Sequence, residues 1–197
     1  MTEIFAILFT IGGILGFLTM LFHSYYTSDS EDLTIFIFGG GFILAYMLEY
    51  TLIHLFHAYS YTNLPLMILE VPIVIPMGWV VTFYGLSAMA KDLLDQHNLR
   101  QSIPNRITTT GVLAVFFGMG IEILARNINF WVFYFDSVEI VGVPIIVTLA
   151  WGLSVATFVL GVELFKIYSK WWWLIMIVVQ LLNTGIALLL FQFTSIG

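Results

Sequence analysis

The chain has 197 residues, 60% of them hydrophobic and 9% charged, with a net charge of −6 and no cysteine; its mean hydropathy is +1.02. Six Lys and Arg plus twelve Asp and Glu cannot cover the surface of a soluble protein of this size, whereas a lipid-facing surface asks for none, so a water-soluble domain is excluded and an integral membrane protein is implied. The lack of cysteine removes thiolate chemistry and Cys-ligated metals, and six basic residues without a basic run leave a nucleic acid nothing to hold.

Runs of about 20 apolar residues bounded by polar clusters are the mark of transmembrane helices. About six can be drawn, making an all-α integral membrane fold in a single polytopic domain, residues 1–197. The first, Ile4 to Phe22, ends at HSYYTSDSED, where Asp29, Glu31 and Asp32 cannot stay in lipid. The second runs from Thr34 to about Phe56. The third, Leu64 to Ala90, is interrupted by Pro65, Pro72 and Pro76, so its helical part is expected to begin near Pro72, after a kinked or re-entrant opening. The fourth, Ile107 to Asn127, follows a polar stretch; the fifth, Gly142 to Phe165, follows the aromatic loop NINFWVFYFDSVEI; the sixth, Trp171 to Phe193, opens on three interfacial tryptophans. Lys91, Arg100, Arg106, Lys166 and Lys170 fall in or beside the loops after the third and fifth spans, and only Arg126 falls on the other side. That bias predicts a multi-pass protein of the cell membrane with loops 91–106 and 166–170 cytoplasmic and both termini outside.

Spans two and three align with spans four and five as a predicted internal repeat, approximately residues 34–90 and 107–165. Glu49 stands over Glu122. Pro72 follows the first acid by 23 residues and Pro144 follows the second by 22, and each proline precedes a tryptophan by seven, Trp79 or Trp151. A tyrosine lies twelve residues beyond each acid, Tyr61 and Tyr134. Repeats of two spans enter the membrane in the same direction, so a parallel pseudo-two-fold axis along the membrane normal is expected.

An ionisable group on a membrane helix costs roughly 2.5–3.5 kcal/mol, which makes an inward-facing functional group its default reading. Glu49 and Glu122 are therefore the candidate catalytic pair, in a cavity roofed by HAYSYTN and NFWVFYF and walled by aromatics. A carboxyl sequestered there suits a general acid. Arg126, one helical turn after Glu122, is placed to pair with it, which favours Glu49 as the acid and Glu122 as an orienting group. Tyr61, Trp79, Trp131, Tyr134 and Trp151 supply π faces for a ligand and for positive charge, with His57, Arg126 and Glu70 nearby. His54 and His57 with Glu49 make only a weak metal pattern, and no metal or other cofactor is expected. Glu163 is expected to pair with Lys166, and Asn183 reads as interhelical glue.

The block GIEILARNINFWVFYFDSVEIVGVPIIVTLAW, running from Glu through aromatic-Tyr-aromatic to GVP and Trp, resembles the carotenoid biosynthesis membrane proteins that include bisanhydrobacterioruberin hydratase and the carotenoid 1,2-hydratases. LEYTLIHLFHAYSYTNLPLMILEVPIVIPMGW is similar to the same pattern. The resemblance implies a long isoprenoid or carotenoid lipid as substrate, protonated by an intramembrane Glu at a C=C bond, with water capture giving a hydratase and ring closure a cyclase. Inward carboxyls on parallel repeats also suit a small proton-coupled transporter, and the cavity alone suits a non-catalytic lipid-binding subunit.

Overall fold

The computed structural model describes residues 2–28, 30–135 and 137–192, so Asp29, Asp136 and Phe193 lie outside the described residues. Helix α1 (Thr2–Thr27) is followed by α2 (Glu31–Ile35), a π-helical turn (Phe36–Gly40) and α3 (Gly41–His54), which run on as one continuous helix. Then come α4 (Val74–Gln96), α5 (Ile103–Asn127), α6 (Ile145–Tyr168), a 3₁₀ turn (Ser169–Trp171) and α7 (Trp172–Gln192). The fold is all-α and membrane-like. Among the described residues, four segments are long and apolar enough to cross a bilayer: Glu3–Thr27, Glu31–His54, Ile103–Asn127 and Ile145–Leu190, the last of which covers α6 and nearly all of α7. Helix α4 is not among the four and ends in Lys91, Asp92 and Asp95. Ile4, Leu8 and Leu15 on α1, with Leu181 and Leu189 on α7, stand exposed on the outside, a surface that suits hydrocarbon and not water.

Polar caps set where these helices begin. The Ser102 hydroxyl accepts from Asn105 N at 3.3 Å and Pro104 occupies the first turn of α5, where its missing N–H costs nothing. Ser30 caps α2 in the same way, accepting from Leu33 N at 3.1 Å. Helices α5 and α6 approach backbone to backbone: a Cβ on Gly152 would sit 2.9 Å from the Gly111 carbonyl oxygen, so only glycine fits there.

The connections after α3 and α5 have the same succession of elements. After α3 come β1 (Tyr59–Tyr61), β2 (Met67–Ile68) and β3 (Val71–Pro72); after α5 come β4 (Trp131–Phe133), β5 (Glu139–Ile140) and β6 (Val143–Pro144). β2 pairs with β3 and β5 with β6 in two-residue hairpins turned by Leu69–Glu70 and Val141–Gly142. All four turn residues have positive φ, as a type I′ turn requires, a conformation that Gly142 adopts freely and the other three hold against their side chains. Pro144 therefore closes a hairpin, and α6 starts at Ile145 rather than at Gly142. Likewise the opening of the expected third span is a loop and hairpin, with α4 beginning at Val74. β1 and β4 pair with each other, antiparallel, in the register Tyr59↔Phe133, Ser60↔Val132, Tyr61↔Trp131.

This ribbon lies across one end of the helices. Beneath it the axis is filled by stacked aromatics: Trp79 on Trp151 with ring centroids 4.0 Å apart, then Phe83 on Phe158 at 4.2 Å, and Phe36 on Phe165 at 4.3 Å toward the opposite end. At that opposite end Glu163 accepts from Lys166 at 2.9 Å, as its spacing suggests, and is also 3.0 Å from Arg106 of α5.

Candidate active site

Period-two alternation decides which ribbon side chains face inward. Tyr59 and Tyr61 on β1, and Trp131 and Phe133 on β4, point down toward the helices, while Val132 points away. Below them lies a cavity of about 400 Å³, lined by residues of α1, α3, α4, α5, α6 and α7 as well as the ribbon. Its walls are apolar except at a few places, of which two are carboxyls. Glu49 on α3 is 2% exposed and Glu122 on α5 is 4% exposed.

Every oxygen of the two carboxyls accepts at least one hydrogen bond, as a buried polar group must. Trp79 Nε1 donates to Glu49 Oε1 at 2.6 Å, and the Tyr59 and Tyr61 hydroxyls both donate to Oε2. Glu122 accepts from Trp151 Nε1 at 2.9 Å on one oxygen and from Trp131 Nε1 at 2.8 Å on the other. The two sets touch twice. Trp79 and Trp151 stack near the axis, and Tyr61 meets Trp131 edge to face, with centroids 5.8 Å apart, at a directly opposed cross-strand position. The result is an aromatic cluster along the cavity wall with one acid in each half. Gly118 is what admits the Trp151 ring, because a Cβ there would collide with it.

A family model described as carotenoid biosynthesis protein matches residues 8–194. The chain belongs to the carotenoid biosynthesis protein family. Among curated proteins and solved structures, none matches it. Membership assigns the chain a role in carotenoid biosynthesis, and an apolar cavity among membrane-type helices fits a lipid substrate in a bilayer.

Of the ten site residues expected in this carotenoid biosynthesis protein, Glu49, Glu122, Tyr61, Trp79, Trp131 and Trp151 line the cavity together. Four others lie elsewhere. Arg126 does not pair with Glu122: its Nη1 donates to Glu139 Oε1 at 2.8 Å, because the β5–β6 hairpin folds back over the end of α5 and offers a closer carboxylate. Tyr134 is 62% exposed. The route from acid to strand is one residue shorter after Glu122 than after Glu49, since Trp131 rather than Val132 takes the inward place of Tyr59, and one residue in a strand reverses the face. Glu70 sits at the tip of the first hairpin, facing His54 at 3.8 Å, and His57 is exposed with φ 47° at the chain reversal after α3. His54 bonds the Leu69 carbonyl at 3.2 Å, so the two histidines do not converge with Glu49, and among the described residues no three His, Asp or Glu groups cluster closely enough to hold a metal.

Several cavity residues escaped the sequence reading. Phe9 and Gly12 of α1 form one wall, and Ser154 and Asn183 line another. Gly12 has nothing packed against it within 4 Å, so it faces the open space rather than a neighbouring helix. Ser154 had a visible signal: it follows Trp151 by three residues and so shares its face.

Proposed function

We propose that this protein adds water to a terminal carbon–carbon double bond of a long isoprenoid or carotenoid lipid, with Glu122 as the proton donor. The supporting observation is the pair of buried carboxyls joined by stacked indoles inside an apolar cavity. An indole N–H can only donate, so a proton carried by Glu122 has no acceptor in its own hydrogen-bond shell and meets instead the π bond of whatever fills the cavity. A proton on Glu49 can be shared with Tyr59 or Tyr61, because phenols accept as well as donate. With Arg126 turned to Glu139, the ground for setting Glu122 aside disappears. Protonation leaves a tertiary cation in the cavity beside the aromatic rings of Trp79, Trp151 and Tyr61, which line it. Water attacks it, and the Glu122 carboxylate recovers the proton, so the net reaction is alkene plus water to tertiary alcohol. The cavity holds the reacting end of the lipid while the rest extends into the bilayer.

The aromatic stacks Phe83–Phe158 and Phe36–Phe165 occupy the axis beyond the cavity, which favours an enzyme over a proton-conducting path. Lycopene, an acyclic carotenoid, incubated with the purified protein in heavy water and in water labelled in its oxygen, tests the reading. Deuterium at a saturated terminal carbon together with labelled hydroxyl is the expected result; deuterium without labelled oxygen would mean cyclisation or isomerisation, and neither label would defeat the protonation chemistry.

Two further expectations belong to the architecture. The matched hairpins, with positive φ at Leu69, Glu70, Val141 and Gly142, support an internal repeat about an axis along the membrane normal, in which six long helices span the bilayer. The clustering of Lys91, Arg100, Arg106, Lys166 and Lys170 supports a cytoplasmic position for residues 97–102. A cysteine at the exposed Leu99 should resist an impermeant thiol reagent in intact cells and react after lysis; labelling in intact cells would invert the orientation.

A further inference from the structure

Among the described residues, most buried polar side chains are partnered. Thr10, Thr82, Thr110 and Thr148 donate to carbonyls of their own helices, at 2.8, 2.8, 2.7 and 2.8 Å. Ser24 bonds Thr34 at 2.9 Å, and the three buried glutamates have the partners described above. Away from the cavity, Arg106 Nε and Gln180 Oε1 are buried without a partner; on the cavity wall two groups are left over, and they are neighbours. Ser154, 5% exposed, uses its carbonyl but not its hydroxyl: the Thr157 hydroxyl lies 2.9 Å from the Ser154 carbonyl oxygen and 2.8 Å from Asn183 Oδ1. Asn183, 6% exposed, is thereby held by its oxygen, and its amide N–H₂ has no partner among the described residues. Both residues line the cavity.

We infer that Ser154 and Asn183 hold the water molecule that captures the cation, and so act as the positioning residues that make the outcome hydration rather than ring closure or proton loss. The inference rests on the protonation chemistry proposed above. Unpaired donors facing a cavity are costly unless something polar sits against them, and a water with two or more polar partners is the smallest group that satisfies both. A water accepting from Asn183 Nδ2 and donating to Ser154 Oγ keeps one lone pair free toward the cavity. The place is also right. Ser154 is one helical turn beyond Trp151 on the same face, a rise of about 4.5 Å, so the oxygen sits about one turn below the indole that donates to Glu122. Acid and water are thereby separated along the cavity wall, as they must be to reach the two neighbouring carbons of one double bond. In the step itself the π electrons form a C–H bond with the Glu122 proton, the water lone pair forms the C–O bond at the adjacent cationic carbon, and the surplus oxonium proton passes to the Glu122 carboxylate.

Among the described residues, the other half of the molecule has no such pair. One turn beyond Trp79 stands Thr82, whose hydroxyl is spent on the Gly78 carbonyl, and across the cavity α1 presents Gly12. Water capture therefore belongs to the Glu122 side alone, and the protein adds oxygen with one orientation despite two similar acids.

The test uses the full-length protein with lycopene in heavy water and in oxygen-labelled water, following both isotopes. In Asn183→Leu and in Ser154→Ala, deuterium should still enter the lipid, while the ratio of labelled alcohol to non-hydrated deuterated product falls by about tenfold or more. Ser154→Ala leaves the Thr157–Asn183 bond intact, so it reports on the water site even if Asn183→Leu folds poorly. Parallel loss of deuterium and oxygen in both variants would indicate a merely structural role and overturn the inference, as would an unchanged product ratio. Absence of deuterium from the wild-type product would instead remove the protonation reading on which it stands.

Discussion

Glu122→Gln is expected to slow turnover by about a hundred- to ten-thousandfold, the range typical of a lost general acid, while the protein still co-purifies with unmodified lipid. The change removes a transferable proton and leaves the cavity shape intact. Hydrophobic burial, which carries most of the affinity for a long apolar ligand, is unaffected. There is a structural cost as well. Each Glu122 oxygen accepts from an indole, and the new NH₂ group must face one of them, donor against donor, for a loss of about 1–3 kcal/mol. Glu49→Gln should behave differently, because Tyr59 and Tyr61 can turn to accept from the amide, so a substantial residual rate is expected. Chromatography of lipids from cells carrying each variant decides the matter. Wild-type product yields from Glu122→Gln, with none from Glu49→Gln, would exchange the roles of the two acids.

How far the site was legible depends on what kind of signal each residue carries. Glu49 and Glu122 stand out because a carboxyl in a long apolar run has few innocent explanations, and Trp79 and Trp151 stand out through their shared spacing from Pro72 and Pro144. Such spacings survive folding only while each residue stays on the same kind of element. Trp79 follows Pro72 within or just before one helix, so counting works; Tyr134 is reached through a helix end and a strand, where one residue fewer reverses the face. Arg126 shows the limit of local rules, because the helical neighbour four residues back loses to Glu139 on a hairpin that no periodicity announces. The α1 wall is a different case. A helix apolar on every side has no stripe to indicate which residues meet lipid and which meet a cavity, and so Phe9 and Gly12 look like any other membrane residues.

Gly118→Ala should be nearly as damaging as loss of the acid, though it removes no functional group. The added Cβ would lie 2.7 Å from Trp151 Cδ2 and 2.8 Å from its Cβ, nearer than side chains tolerate, and the ring is held on two sides. It donates to Glu122 at 2.9 Å and stacks on Trp79 at 4.0 Å, so any shift that relieves the clash loosens the carboxyl, the indole pair, or both. Overpacking of this kind costs about 1–3 kcal/mol in stability, and misplacing a reacting group by about 1 Å costs on the order of a hundredfold in rate. Gly120→Ala is the matched control. It lies on the same helix with nothing within 4 Å of the new methyl, and alanine is the better helix former by about 1 kcal/mol, so stability and turnover should be preserved. Thermal denaturation in detergent, near-ultraviolet circular dichroism of the stacked indoles and product yield should all fall together in Gly118→Ala and stay level in Gly120→Ala. Undiminished product from Gly118→Ala would mean that the Trp79–Trp151 pair does not position the acid, and would leave it a packing contact alone.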